Sequence, residues 1–282
     1  ERPEKNYDWQ SNVMIKKVIH LADIHIRTYR FHDEYEEVFN NLYVKCEELT
    51  KDFDYDEVRI VIVGDILHQK ITISNESLLV TSKFFKRLSS IAPLVIVAGN
   101  HDLLENNIDR LDSITPVIDL LDNDNISYHK ERKCYLDDNI VWCNYSIFEH
   151  NERPDIESAR AEYGEDKTYV GLFHAPILGA KTDLGYTFDT GTRVDFFSGC
   201  DMVLLGDIHK RQQLNFDIPV VYTGSLIQQD FGESVDNHGF LLWDVESRTY
   251  EGFDIENPYE YYLFEVNSMD DIDNNKEVLR NS

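Results

Sequence analysis

The stretch Ile96-Val97-Ala98-Gly99-Asn100-His101-Asp102 indicates how the whole chain is organised. The apolar run that leads into it, from Pro93 to Ala98, predicts a buried strand that stops at a glycine. An amide, an imidazole and a carboxylate follow the glycine directly. Open α/β sheets carry their sites on side chains placed in this way, at the carboxyl ends of strands. Taken alone, the same residues also fit a turn with a capping aspartate.

The composition is that of a globular protein, with 282 residues, 42% hydrophobic side chains and 12% aromatic ones. This length allows one large domain or a domain with an appendage. The apolar runs are too short to span a bilayer, and no signal peptide is visible. We therefore expect a protein of the cytoplasm (the host cytoplasm, if the source is viral), neither secreted nor bound to a membrane. The cysteines lack Cys-x-x-Cys spacing and are expected to be reduced: Cys46, Cys134, Cys143 and Cys200.

The net charge of −26 limits the partners that the chain can bind by itself. It arises from 53 acidic residues against 27 Lys plus Arg. Such a surface attracts polyanions weakly. A nucleic-acid role would therefore need local basic residues, metal ions or a basic partner.

Three strand-and-helix units are predicted in the first half of the chain. Strands are expected at residues 17–22, 58–63 and 93–98, and helices at 33–49, 75–88 and 109–121. Reactive side chains follow each strand, which predicts a parallel, right-handed α/β half. Short strands rich in β-branched and aromatic residues are predicted after residue 126. We expect a poorly ordered lead-in over residues 1–15, one domain over 16–258, and a tail over 259–282 that would begin a truncated capping region.

Five predicted strand ends carry residues that can bind a metal. They are Asp23 with His25, Asp65, Asn100 with His101, His174, and Asp207 with His209. A single His near a strand end is usually an ordinary surface or core residue, but five such ends together favour a site. Carboxylates, imidazoles and one amide suit two divalent ions that share a carboxylate. Two such ions can clamp a phosphoryl group and activate the attacking water.

The motifs Asp-x-His, Gly-Asp, Gly-Asn-His-Asp, a lone His and Gly-x-x-His, in this order, resemble the calcineurin-like metallophosphoesterase superfamily. The resemblance implies an α/β sandwich of two mixed β-sheets flanked by helices, with a dimetal site at the carboxyl ends of strands. Gly64-Asp65-Ile66-Leu67-His68 and the segment 222–229 look like one branch, the Mre-eleven (bacterial SbcD) DNA-repair nucleases. Phe231-Gly232-Glu233 and His238-Gly239-Phe240 are similar to the closing segment of that branch's nuclease domain.

The resemblance implies a role for each matching residue. One ion would be held by Asp23, His25, Asp65 and His209. The other would be held by Asp65, Asn100, His174 and Asp207, and a hydroxide between the two ions would attack phosphorus in line. Mn²⁺ is favoured as the native ion, with Mg²⁺ as the alternative.

Further roles fall on residues outside this set of ligands. His101, oriented by Asp102, would stabilise or protonate the leaving oxygen, and His68 would contact the substrate phosphate. Asp207 departs from the branch, which usually has a His in its place. Basic residues that follow the motifs could form a cationic rim for a phosphate backbone, although each also fits an ordinary surface position. They are Arg27, Arg30, Lys70, Lys210 and Arg211.

The function that the resemblance implies is a metal-dependent DNA nuclease. It would act with an ATPase of the SbcC or Rad-fifty type in DNA repair, recombination or replication, with homodimer formation also considered. One alternative is a small-molecule phosphatase or nucleotide phosphodiesterase with the same metal site. Another is a metal-free scaffold, which the complete set of potential ligands disfavours. The net charge of −26 favours the small-molecule phosphatase, whereas His68 and the segment 222–229 favour the nuclease.

Overall fold

The structure, a computed structural model, describes residues 14–70, 72–262 and 266–276. Its strands are β1 (Lys17–Leu21), β2 (Val58–Val63), β3 (Leu94–Val97), β4 (Ile126–Tyr128), β5 (Cys134–Asp137), β6 (Ile140–Asn144), β7 (Thr168–His174), β8 (Met202–Gly206), β9 (Gln212–Leu214), β10 (Val220–Tyr222), β11 (Gly239–Asp244) and β12 (Thr249–Asp254). Its α-helices are α1 (His32–Thr50), α2 (Asn75–Ile91), α3 (Thr115–Leu121), α4 (Ile156–Tyr163) and α5 (Met269–Asn274).

The strands in the described part of the chain form two six-stranded mixed sheets. The first has the order β12-β11-β1-β2-β3-β4, in which β1 to β4 are parallel and β11 runs antiparallel to β1. The second has the order β5-β6-β7-β8-β10-β9, with parallel inner strands and an antiparallel strand at each edge. Two mixed sheets flanked by helices are the predicted architecture, and this prediction is confirmed.

Alternation along the strands places side chains in two different cores. In β1, Val18 belongs to the core between the sheets, whereas Ile19 and Leu21 belong to the core beneath the helices. Trp142 of β6 and Leu172 of β7, in the opposite sheet, belong to the same core as Val18. Inner strands buried on both faces explain why their sequences are almost continuously apolar.

Helices α1 and α2 cover the outer face of the first sheet. The buried residues of α1 recur at the three- and four-residue steps of a helical face, from Tyr35 to Cys46. Phe39 of α1 stacks on Phe84 of α2 with a centroid distance of 4.0 Å. Ser74 caps α2 by accepting a hydrogen bond from the Ser77 amide at 3.1 Å.

A buried ion pair joins the two sheets away from the predicted site. Arg59 of β2 donates two hydrogen bonds to the Asp137 carboxylate of β5, at 2.8 and 2.7 Å. Trp142 donates a third hydrogen bond to the same carboxylate at 2.9 Å. Removing one partner would leave a buried charge uncompensated, which typically costs about 3–5 kcal/mol.

One sequence prediction, the start of the third helix, needs correction. The third helix, predicted over 109–121, begins only at Thr115, because the Asp112 carboxylate captures the Thr115 amide at 2.8 Å and ends the preceding turn. The predicted lead-in lies outside the described residues except at its end, where Ile15 is buried and its amide donates to the Asn139 side chain at 2.7 Å. Among the described residues, no helix is long and apolar enough to cross a membrane.

Candidate metal and active site

The structure brings the predicted ligands together where the carboxyl ends of both sheets meet. Asp23 follows β1, Asp65 follows β2 and Asn100 follows β3, while His174 ends β7 and Asp207 follows β8. Backbone bends immediately after these strands direct the side chains into one place. Left-handed backbone is uncommon for residues other than glycine and clusters at functional sites. It occurs here at Asp23, His25, Asp65 and Asp207, with φ values of 51°, 48°, 53° and 93°.

Glycines before two of the ligands let the loops approach each other. A Cβ atom on Gly99 would overlap the Asp65 carboxylate and amide. A Cβ atom on Gly64 would overlap the His174 ring, and Gly64 also has a φ of 81°. The motifs Gly-Asp and Gly-Asn-His-Asp therefore need their glycines for side-chain convergence as well as for turning the chain.

One half of the site contains Asp23, His25, Asp65 and His209. The Nε2 atoms of His25 and His209 lie 3.1 Å apart. His25 Nε2 is 3.4 Å from Asp65 Oδ2 and 3.9 Å from Asp23 Oδ1, and His209 Nε2 is also 3.9 Å from Asp23 Oδ1. Both carboxylates are buried. This is the first predicted set of ligands in one place.

The other half contains Asp65, Asn100, His174 and Asp207. His174 Nε2 lies 3.2 Å from Asp65 Oδ1, 3.3 Å from Asn100 Oδ1 and 3.9 Å from Asp207 Oδ1. Asp65 therefore belongs to both halves, as a bridging carboxylate must. Asp207 reaches the site despite replacing the usual His.

The oxygen and nitrogen atoms of the site are arranged to bind a cation rather than to form hydrogen bonds with one another. The amide oxygen of Asn100 faces the Asp65 carboxylate at 3.2 Å and His174 Nε2 at 3.3 Å, although the reverse amide orientation would let its NH₂ group donate to these atoms. His174 Nδ1 must donate to the Val63 carbonyl at 2.7 Å, which leaves Nε2 to face the other acceptors. Oxygen and nitrogen acceptors that converge in this way are a suitable environment for a divalent ion.

Burial and neighbouring charges shift the pKa values of the Asp and His side chains in the site, and these shifts also favour a bound cation. Burial raises the pKa of Asp23 to about 7. Burial opposes ionisation of Asp65 too, but the charges of His174 and His25 hold the pKa of Asp65 below its ordinary value. Although burial opposes it, the Asp65 carboxylate raises the pKa of His174 well above its ordinary value. Burial also lowers the pKa of His209, but the hydrogen bond to the Glu233 carboxylate outweighs this effect and raises the pKa to about 9.

His101 and His68 lie beside the metal ligands. The rings of His101 and His25 meet edge to face at 4.8 Å, and His68 stacks on His101 at 5.5 Å. His101 Nδ1 donates to the His68 carbonyl at 2.7 Å, so its Nε2 remains for a substrate. Both side chains line an open cleft of about 600 Å³.

The predicted contact between Asp102 and His101 is corrected by the structure. The Asp102 carboxylate is fully buried and accepts hydrogen bonds from the amides of Gly99, Ile66 and Leu67, at 2.9, 3.0 and 3.1 Å. It therefore ties the loop after β3 to the loop after β2, and the His68 carbonyl orients the imidazole of His101 instead. Asp102 supports the site through the backbone.

Two of the five basic residues predicted to form a cationic rim line the cleft. Arg27 and Arg30 line the cleft, where their guanidinium carbons lie 5.2 and 4.6 Å from the centre of the Phe31 ring. The other three do not line it, because acidic side chains hold them elsewhere. The pairs are Lys70 with Glu105 at 2.7 Å, Lys210 with Asp183 at 3.3 Å, and Arg211 with Asp254 at 2.7 Å.

Sequence comparison bears directly on this geometry. The family model described as calcineurin-like phosphoesterase matches residues 16–211, a range that contains every predicted metal ligand. The chain belongs to this family. Members of this family hydrolyse phosphate esters with the help of divalent metal ions, and the Asp and His clusters of this chain are suited to bind such ions.

Two further comparisons place this phosphoesterase among known proteins. It is 36% identical over 262 residues to an uncharacterised protein of Acanthamoeba polyphaga mimivirus, a match that covers 91% of this chain and 19% of that protein. The chain thus spans about a fifth of the length of that relative. A solved structure with 11% identity superposes with a TM-score of 0.51, covering 86% of this chain and all of that one, and this likeness concerns the fold.

Several residues around the site were not assigned roles from the sequence. Glu233 contacts a predicted ligand, with its Oε1 atom 2.5 Å from His209 Nδ1. Gln229 accepts hydrogen bonds from Arg27, and the Tyr261 hydroxyl accepts another at 3.1 Å. Glu233 belongs to the motif Phe231-Gly232-Glu233, which sequence analysis singled out. The contact of Glu233 with His209, however, depends on the tertiary fold.

Proposed function

We propose that this phosphoesterase is a metal-dependent nuclease of the Mre-eleven/SbcD type that hydrolyses phosphodiester bonds in DNA. The observation that carries the proposal is one open cleft lined by His68, His101, Arg27 and Arg30, with the candidate metal ligands at its base. A cleft that combines a site for one phosphate with cationic side chains beside it suits a polymer with several phosphates.

The charges of the site favour a phosphodiester over a phosphomonoester. With metal ions bound, Asp23, Asp65 and Asp207 would contribute three negative charges where the usual pattern of the branch contributes two. A site that is less positive attracts a dianionic monoester less strongly, whereas a diester linkage carries only one negative charge.

Each residue has a defined task in the proposed reaction. When bound, two divalent ions would polarise the phosphoryl group and lower the pKa of a water molecule. Asp65 lies between the two halves of the site, and Asn100 adds an oxygen without adding charge. His101, held by the His68 carbonyl, presents Nε2 to the cleft and in its protonated form can donate to the leaving oxygen. Arg27 and Arg30 neutralise phosphates beside the scissile bond.

The biological setting is part of the proposal. We infer that the nuclease acts in DNA repair, recombination or replication, uses Mn²⁺ in preference to Mg²⁺, and obtains most of its DNA affinity, though not its cleavage chemistry, from an ATPase of the SbcC/Rad-fifty type or from a second copy of the chain. The net charge of −26 supports this dependence, because the isolated chain has little general attraction for DNA. The resemblance of His68 and the segment 222–229 to the nuclease branch supports the choice of partner.

A small-molecule phosphodiesterase is the second candidate. The net charge of −26 favours this candidate, and so does Asp230, an acidic side chain among the residues that line the cleft. This candidate shares the metal site and the preference for a diester. It differs in requiring no contact with a second phosphate.

The deciding experiment compares substrates with one protein preparation. The chain with Mn²⁺ or Mg²⁺ is given linear duplex DNA, single-stranded DNA, a cyclic nucleotide, bis(p-nitrophenyl) phosphate and p-nitrophenyl phosphate. We expect cleavage of DNA and of the synthetic diester, with little action on the monoester. An Asp65→Asn variant purified in parallel controls for contaminating nucleases. Activity on the monoester alone, or on the cyclic nucleotide without DNA cleavage, would refute the nuclease proposal.

A further inference from the structure

Glu233 contacts the metal site from outside the set of predicted ligands. Its Oε1 atom lies 2.5 Å from His209 Nδ1, and its side chain is only 11% exposed. A carboxylate in this position accepts a hydrogen bond from Nδ1–H, so Nε2, which faces His25 and Asp23, is the nitrogen available to bind a metal. Carboxylates that hold a metal-bound imidazole in this way fix its orientation and increase its basicity.

The three imidazoles of the site are supported differently. His174 Nδ1 donates to the neutral carbonyl of Val63, and His25 Nδ1 is buried without a hydrogen-bond partner. Among these three, His209 is the one held by a charged group. A change at Glu233 should therefore affect metal binding in the half of the site that contains His209. The half that contains His174 should be affected little.

The second oxygen of Glu233 extends this support to the rim of the cleft. Glu233 Oε2 accepts a hydrogen bond from the Gln229 amide at 2.7 Å, and the Gln228 side chain donates to the Glu233 carbonyl at 3.0 Å. Gln229 in turn accepts hydrogen bonds from Arg27 through its side chain, at 2.8 Å, and through its carbonyl. One carboxylate thus contacts both a candidate ligand and the loop that holds a rim arginine.

We propose that Glu233 is a positioning residue that presents His209 Nε2 to the metal and, through Gln229, holds Arg27 at the edge of the same cleft. The inference rests on the metal site of the proposed function but not on the identity of the substrate. Metal affinity measured without DNA can therefore test it separately from nuclease activity.

The test is a calorimetric Mn²⁺ titration of wild type, Glu233→Gln and Glu233→Ala, with Co²⁺ absorption spectra as a second readout. We expect one of the two sites to weaken about 10-fold in Glu233→Gln and about 100-fold in Glu233→Ala, while the other changes less than about twofold. The Co²⁺ spectrum should change for the weakened site alone. Glu157→Gln, which removes the same charge from a side chain that is 69% exposed and paired with Arg153, should match wild type.

The outcomes separate this proposal from the proposed function. Unchanged affinity at both sites in Glu233→Gln would overturn the role of Glu233, as would equal weakening of both sites with a lowered melting temperature. Glu233→Gln is nearly isosteric, so it keeps the test decisive if Glu233→Ala fails to fold. A wild-type chain that binds no metal would refute both proposals, whereas selective weakening in a chain that cleaves no DNA would uphold the role of Glu233.

Discussion

Replacing Asp207 tests the most unusual feature of the site. Its Oδ1 atom lies 3.9 Å from His174 Nε2, and its amide donates to both oxygens of Asp23, at 3.1 and 3.0 Å. Asp207→Ala removes one of four donors from the half that also contains Asp65, Asn100 and His174. Asp207→His restores a donor while removing one negative charge. We expect Asp207→Ala to lose one of two Mn²⁺ ions and Asp207→His to keep both.

The size of the effect follows from linkage between metal binding and folding. An ion present at 100 times its dissociation constant stabilises the folded state by about 2.7 kcal/mol. For a domain of this size, about 1 kcal/mol corresponds to roughly 2–4 °C in melting temperature, so each ion should contribute roughly 5–10 °C. The Mn²⁺-induced rise of Asp207→Ala should therefore be about half that of wild type. Comparing each variant with and without Mn²⁺ cancels the strain at this position, where φ is 93°.

The assay is thermal unfolding over a Mn²⁺ series, combined with metal stoichiometry. Asp195→Ala removes an exposed carboxylate and should show the full wild-type rise. Asp207→His should also accept Co²⁺ or Zn²⁺ more readily than wild type, because a nitrogen donor replaces an oxygen donor. Two bound ions and an undiminished temperature rise in Asp207→Ala would show that Asp207 is not a ligand.

Three further predictions follow from the same structure. His101→Ala should lower cleavage about 10²–10⁴-fold while still binding two Mn²⁺ ions, and a loss of metal stoichiometry would make His101 a ligand instead. The isolated chain should bind DNA weakly at physiological salt, and Arg27→Ala with Arg30→Ala should reduce the slope of log K against log salt by about 2, with Lys210→Ala as the matched control. Burial lowers the pKa of His129 to about 3, so its stabilising contribution is complete above pH 6.5 and is lost as the pH falls towards 3. Wild type should therefore lose about 2 kcal/mol relative to His129→Gln between pH 7 and pH 5 in urea unfolding, and a constant difference would contradict the buried neutral state.

The candidate ligands could be predicted from the sequence because each lies at or shortly after the end of a strand. Apolar runs such as Val58–Val63 indicate strands buried on both faces, and the strand-and-helix order indicates a parallel sheet whose carboxyl ends share one edge. Asp23, Asp65 and Asn100 were therefore expected to meet. Local periodicity and the handedness of βαβ connections indicated this convergence, whereas the division of the residues into two sets of metal ligands came from the resemblance to the family.

Tertiary packing decided which neighbouring groups act on those ligands. Lys70 and Lys210 follow the motifs as closely as Arg27 does, but Glu105 and Asp183 hold them outside the cleft. Each of these pairs joins residues that are distant in the sequence, and no local period relates them.

The same holds for the buried contacts that support the site. Asp102 binds backbone amides of the loop after β2 rather than the adjacent His101. Glu233 reaches His209 across a separation of 24 residues, and Arg59 meets Asp137 across 78. Sequence alone determined which residues end the strands, because that property belongs to a single segment. The partners of buried charges belong to pairs of segments, so only the packing of the two sheets and their loops could determine them.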